Sequence, residues 1–185
     1  MILLSQTAQS QPKYKKNNHT QFYVAASAGV SGFGNVWVGS AEGNLFVMRI
    51  DAAYFFNEWL GTGLIYNSSR CDIEIKDVGV IGKEIISFVG PAIYGRYWLN
   101  SIILTASAGV GMLNWTYSRY LNHDYDYGIY TTSVGGFISA GGIYMLNHNL
   151  GVGLNLQSTI GSMKNNEFKR NPTALGCTIG INFNF

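Results

Sequence analysis

Charge is what this chain has least of. Its 185 residues are 12% charged and 47% hydrophobic, whereas an ordinary globular chain is about 25% charged. A soluble domain covers its surface with Lys, Arg, Asp and Glu, so their scarcity implies that much of the surface faces lipid rather than water. The apolar content excludes a disordered chain. The formal net charge is +2, and no cluster of Lys and Arg supplies the basic footprint that a nucleic-acid partner needs. Cysteine is almost missing: Cys71 and Cys177 lie far apart, neither in a Cys-x-x-Cys pair nor at ligand spacing from a histidine. That excludes a disulfide framework and a zinc site, and no cofactor is expected. Uninterrupted apolar runs are lacking too. The stretches 97–118 and 128–163 contain no Asp, Glu, Lys or Arg, yet Gly, Ser, Thr and Asn break them every few residues and the mean hydropathy is only +0.09, which argues against transmembrane helices.

What the chain does have is alternation. From Leu175 to Phe185 one set of positions reads Leu, Cys, Ile, Ile, Phe, Phe and the other Gly, Thr, Gly, Asn, Asn, a period of two that specifies a strand. Leu150 to Ile160 repeats the pattern with Ser158 as its one exception. Working backwards, 128–146, 102–117, 85–98, 60–67, 46–56 and 22–31 are rich in Gly, Thr, Ile, Val and aromatics and read as further strands. The total of eight is even, as a closed up-and-down barrel in a membrane requires.

Connections alternate in length. Asn57-Glu58, Leu99-Asn100-Ser101 and Asn147-His148-Asn149 are tight, whereas 32–44, 68–84, 118–127 and 162–172 read as long solvated loops. Short turns on the side of the termini and long loops opposite are the pattern of outer-membrane barrels, with the loops outside the cell. Of the charged residues only Arg49, Asp51 and Arg96 fall inside the strand segments. Arg49 and Asp51 share a face opposite Phe46, Met48, Ile50 and Tyr54, so both are expected in the lumen, where an ion-pair network with Arg96 would offset the penalty of burying charge.

Alternation alone does not separate a membrane barrel, apolar outside, from a soluble lipocalin-like carrier of apolar ligands. The polar face decides for the membrane: it is mostly Gly, Ser, Thr and Asn, small enough for a tight interior, and it lacks the Lys and Glu that a wet exterior would carry. Two aromatic belts are expected, Phe22, Phe56, Trp59, Trp98, Tyr144 and Phe185 on the turn side and Trp115, Tyr117 and Tyr130 on the loop side.

On these residues the chain from Gln21 to Phe185 resembles the small eight-stranded outer-membrane barrels of the OmpX and OmpA membrane-domain type, and the outer-membrane β-barrel domain proteins of Bacteroides-type bacteria. Two elements carry the resemblance. The terminal strand with Phe183 and Phe185 is similar to the sorting signal read by the barrel-assembly machinery. The segment Gly90-Pro91-Ala92-Ile93-Tyr94-Gly95-Arg96-Tyr97-Trp98 is similar to a Pro-x-x-Arg-Tyr-aromatic strand of such proteins, with two more residues between Pro91 and Arg96. The resemblance implies assembly in the outer membrane of a Gram-negative bacterium, contact with its lipid and lipopolysaccharide, and loops displayed to an extracellular ligand or host surface. Residues 1–10 resemble the end of a secretory signal peptide, and 11–20 are read as a periplasmic segment.

The fold class expected is therefore all-β, an eight-stranded antiparallel transmembrane barrel with a structural or adhesion-like role. Tyr120, His123, Tyr125 and Tyr127 in the third loop form a candidate interaction surface, since tyrosine offers large amphipathic contact area. The rival is an enzyme acting on lipid A or phospholipid acyl chains. Such chemistry needs a histidine within reach of a hydroxyl; only His123, beside Asp124 and Asp126 with Ser118 near, is placed for it, and no nucleophile motif supports it.

Overall fold

The computed structural model describes residues 21–33, 42–75, 80–121, 124–164, 169–170 and 173–185. They form ten strands: β1 (Phe22–Phe33), β2 (Glu42–Phe55), β3 (Leu60–Ile75), β4 (Val80–Leu99), β5 (Ile102–Leu121), β6 (Asp124–Met145), β7 (Leu150–Gly161), β8 (Met163–Lys164), β9 (Lys169–Arg170) and β10 (Thr173–Asn184). Eight of them close into an antiparallel barrel in the order β1-β10-β7-β6-β5-β4-β3-β2, and β8 and β9 pair as a small hairpin between β7 and β10.

The tight turns follow from side-chain chemistry. In the bends after β2 and β6 an asparagine caps the chain reversal: Asn57 Oδ1 accepts from the Trp59 and Leu60 amides, both at 2.8 Å, and Asn147 Oδ1 accepts from the Asn149 and Leu150 amides at 2.9 and 2.8 Å. The third turn places Asn100 at φ 53°, a left-handed conformation that asparagine tolerates better than most residues. At the closing seam, register partners run from Tyr23↔Asn184 to Phe33↔Ala174. A Cβ on Gly180 would stand 2.2 Å from the Ala26 carbonyl oxygen, so the two terminal strands approach this closely only because that position is glycine.

Alternation sorts the side chains as the sequence implies. Leu64, Ile93, Val110, Val134, Leu154, Leu175 and Ile179 point outward and are more than half exposed, whereas Arg49, Asp51, Asn67, Asn155, Gln157, Thr178 and Asn182 point inward and are buried. An apolar exterior around a polar, filled interior is the reverse of a soluble carrier, and that rival is overturned. The outer apolar face runs from Leu99 to Val89 on β4, Ile102 to Met112 on β5 and Tyr144 to Val134 on β6. Each is a stretch of about the 9–11 residues that a tilted strand needs to cross the hydrocarbon.

Beyond it the faces exchange character. The next outward positions are Ser68, Ser87, Asn114 and Thr132, which are direct cross-strand partners in sequence from β3 to β6. Ser68 bonds Ser87 at 3.1 Å, and Thr132 donates to Asn114 at 2.8 Å. Inward at the same end lie Ile86, Phe88, Leu113 and Trp115, all essentially buried. The segments 68–84 and 118–127, expected as long loops, are thus corrected: most of each continues β3 to β6 past the membrane. Arg70, Asp72 and Lys83 stand on the outer side of these strands, where it meets water, a placement that makes a strand look like a loop. The belts are corrected as well. Trp98, Trp115 and Tyr117 face the interior, while Phe22, Phe56, Trp59, Tyr144, Phe185 and, at the far side, Tyr130 are exposed as expected.

This border is testable. Leu154→Arg, halfway along the outer face of β7, is expected to lower unfolding stability in lipid vesicles by about 2–4 kcal/mol, and Thr132→Arg by about 1 kcal/mol or less. Equal effects in urea titrations would contradict the border.

Candidate functional site: the sealed lumen and the projecting hairpins

The two lumen charges on β2 form a tight pair. Arg49 Nε donates to Asp51 Oδ2 at 2.6 Å and the Arg49 terminal amine to Asp51 Oδ1 at 2.8 Å. The same Oδ1 accepts from the Tyr94 hydroxyl at 2.9 Å. Arg49 also reaches Gln157 at 3.5 Å and Ser107 at 3.4 Å, and Gln157 continues through Asn67 to Thr159 at 2.6 and 3.1 Å. The polar network therefore ties β2, β3, β4, β5 and β7 together across the interior. Every fully buried side-chain nitrogen and oxygen among the described residues has a partner, the condition under which a polar core stabilises a unique arrangement.

Arg96, expected in the same cluster, points inward nearer the turns. Its guanidinium lies 3.8 Å from the Phe55 ring centroid, and its Nε donates to the Glu58 carbonyl at 3.0 Å. Arg49 and Arg96 border one cavity of about 10 Å³, room for roughly a single water. Toward the hairpin side Phe88 stacks on Phe137 with centroids 5.6 Å apart, and Arg49 lies 5.1 Å from the Phe137 ring. The lumen around these groups is filled rather than open, as expected of eight strands.

At the hairpin end a second buried carboxylate appears that the sequence reading assigned to a loop. Glu84 on β4 is buried and accepts from the Trp115 indole at 2.7 Å. Its cross-strand partner Cys71 is buried beside it; burial first, then the Glu84 and Asp72 carboxylates, push that thiol upward. On the outer face of the same hairpin Arg70 and Asp72 form a paired fork at 2.8 and 2.5 Å, which raises the Arg70 guanidinium further. A carboxylate at the start of an alternating run, four positions before Phe88 on the same face, was the available signal for Glu84.

Phe183 and Phe185 stand side by side on the outer face with ring centroids 6.4 Å apart, and Phe185 exchanges backbone bonds with Phe22 at 2.9 and 3.2 Å, completing the seam. Tyr120, Tyr125 and Tyr127 belong to the β5–β6 hairpin, with Tyr120 opposite Tyr125 at an irregularity in the register. His123, on which the enzyme reading rests, lies outside the described residues, as do the segments 1–10 and 11–20.

Asp51→Ala would leave Arg49 buried beside no carboxylate and is expected to lower stability by about 3–5 kcal/mol, whereas replacing both by apolar residues of similar volume, Arg49→Met with Asp51→Leu, is expected to be much milder than the sum. Urea unfolding of the unsubstituted protein, Arg49→Met, Asp51→Leu and their double variant in one detergent, with Asp51→Ala beside them, checks this; additive losses would show that the pair is not coupled.

No protein-family model and no curated protein matches the chain. Solved structures do. Neisserial surface protein A is 19% identical with a TM-score of 0.65, over 89% of this chain and 97% of that one. Ail, the attachment invasion locus protein of Yersinia pestis, is 12% identical at 0.54 over the same shares. The N-terminal β-barrel domain of Pseudomonas aeruginosa OprF is 16% identical at 0.51, over 88% and 97%. At these identities the likeness is one of architecture, and it agrees with the closed antiparallel sheet, the apolar outer band and the filled polar interior: the chain has the fold of the small eight-stranded outer-membrane β-barrels.

Proposed function

We propose that this protein is an integral outer-membrane barrel whose working part is the projecting β3–β6 wall, an interaction surface of adhesion-like type rather than a channel or an enzyme. The observation that carries the reading is the reversal of polarity along these strands. Inside the membrane band the outer face is apolar; past it the outer face becomes Ser68, Arg70, Ser87, Asn114 and Thr132 while the inside becomes Phe88, Leu113 and Trp115. A connection that only closed the barrel would not need a hydrophobic core of its own. Conversely, a rigid two-faced sheet standing in water is a display platform. The lumen charges are occupied with one another, which favours binding at the surface over transport through the interior. The names of the Neisserial surface protein and of the Yersinia attachment protein fit this reading. Outward Phe183 and Phe185 at the closing seam suit recognition by an assembly machinery, and the apolar band suits contact with outer-membrane lipid, including lipopolysaccharide.

The projecting side is assigned to the cell exterior and the termini and short turns to the periplasm. An epitope inserted between Asn122 and His123 is expected to be reached by antibody on intact cells, and one inserted after His148 only after the outer membrane is opened. The opposite result would invert the orientation.

Register supplies a clean test of the surface role. Ser118 and Gly128 are cross-strand partners, so residues 119–127 can be replaced by Asn-Gly, a two-residue hairpin turn. The shortened barrel is expected to keep its unboiled gel mobility and lose adherence of expressing cells to extracellular matrix. Retained adherence would remove Tyr120, His123, Tyr125 and Tyr127 from the binding surface.

A further inference from the structure

The membrane band closes on itself, but the wall beyond it does not. β5 pairs with β6 as far as Leu121↔Asp124, whereas the ladder between β6 and β7 stops at Gly135↔Gly161. The next strand along the chain, β8, pairs with β9 instead. Among the described residues, no strand therefore pairs with the β7 side of β6 from Asp124 to Val134. The turns show which backbone groups this leaves open. The Met145 amide bonds toward β5, through Ser101, and the Leu146 amide toward β7, through Leu150, and successive residues of an antiparallel strand alternate between their two neighbours. Gly128, Tyr130 and Thr132, in step with Leu146, thus turn both N–H and C=O to the open side.

This edge is unguarded in composition as well. Edges exposed to water are ordinarily blunted by charge, proline or a bulge. Here 127–134 reads Tyr-Gly-Ile-Tyr-Thr-Thr-Ser-Val, without charge or proline and rich in residues that favour a strand, and the one irregularity in its pairing with β5 lies at Arg119/Tyr120, opposite the tip. The inner layer is also uncovered along it. Ile86 and Phe88 on β4 and Leu113 and Trp115 on β5 are buried, but Ile129, Thr131 and Ser133 on β6 are only half-buried, with Ile129 packed at the rim of the apolar cluster.

We propose that this edge takes up an extended segment of an extracellular protein as an added strand, antiparallel to β6 and in line with β7 below it. A row of open amides and carbonyls is matched by another backbone in extended form. The two-faced wall sets the pattern of the segment: apolar side chains at every second position, over Ile129, and polar ones between them, beside Tyr130 and Thr132. The antiparallel direction brings the C-terminal end of the segment to the tip of β6, the place of Asp124 and Asp126, so Lys or Arg at that end complements it. A second copy in the same membrane has its own β6 running the same way and would have to pair in parallel, the less stable ladder.

This assignment takes the projecting wall to be the working surface, and the test keeps the two apart. The probe is a fluorescein-labelled peptide, Thr-Val-Thr-Val-Thr-Val-Thr-Lys-Lys, titrated by fluorescence anisotropy against the full chain folded in detergent micelles, and saturable binding is expected. Thr132→Pro and Tyr130→Pro each remove an N–H on the open side, where proline leaves the β5 ladder intact. Both, checked for the barrel's gel mobility, are expected to weaken binding at least about tenfold, and Thr132→Ala, which restores the N–H, to recover most of it. N-methylation of one alternate set of peptide amides is expected to abolish binding to the unsubstituted protein and of the other set to leave it, because only one set faces β6. Absence of saturable binding, equal effects of the two methylated peptides, binding unchanged by both proline substitutions, or pairing of two chains through this edge in place of peptide would overturn the proposal. Adherence of expressing cells reports on the wall itself: if it is lost when 119–127 are replaced but kept by Thr132→Pro, the surface role stands and the added strand does not.

Discussion

A backbone amide in hydrocarbon has no water to bond, and each one left alone costs several kcal/mol. Everything else in this protein is arranged around that constraint. Seven hairpin-linked ladders do not suffice, because the first and last strands would each expose a row of unpaired groups; the eighth ladder, β1 against β10, removes both edges. Closure in turn demands small residues where the seam is tight, hence Gly29 against Cys177 and Gly180 against Ala26. It also encloses a lumen that has to be filled. The chain fills it with a polar middle, Arg49, Asp51, Tyr94, Gln157 and Asn67, flanked by Phe88 and Phe137 on one side and Phe55 and Ile103 on the other.

The same constraint ends where water begins, and there the strands change their chemistry without changing their conformation. A single strand such as β5 presents Leu104, Val110 and Met112 to lipid, then Asn114 and Thr116 to solvent, while its inner face passes from Ser107 to Leu113 and Trp115. The protein is a membrane barrel at one end and a water-facing sheet with an apolar inner side at the other. Cross-strand bonds between Ser68 and Ser87 and between Asn114 and Thr132 mark the change on its surface. Burial of Glu84 against the Trp115 indole belongs to the second regime, in which a carboxylate inside an apolar layer accepts a directed hydrogen bond.

Strand identity, barrel closure by an even number, the outward direction of the apolar set and the pairing of Arg49 with Asp51 were all determined by the sequence itself. Each follows from a period of two that neighbours on one strand carry, as in Leu175 to Phe185 or Phe46 to Tyr54. The asparagines of the turns were equally legible, since their hydrogen bonds reach only two or three residues along the chain. What the chain order could not decide was anything set by the environment of a face. Whether Arg70 and Lys83 belong to a loop or to the wet side of a strand, whether Trp115 looks at lipid or lumen, and whether Ser158 is exposed or shielded depend on the residues standing opposite, Ile138 and Leu175 in the last case. Those neighbours lie about 17 to 20 positions away and are brought together only by the register of adjacent strands, so the tertiary structure alone decided where the membrane ends and how its lipid-facing surface is shaped.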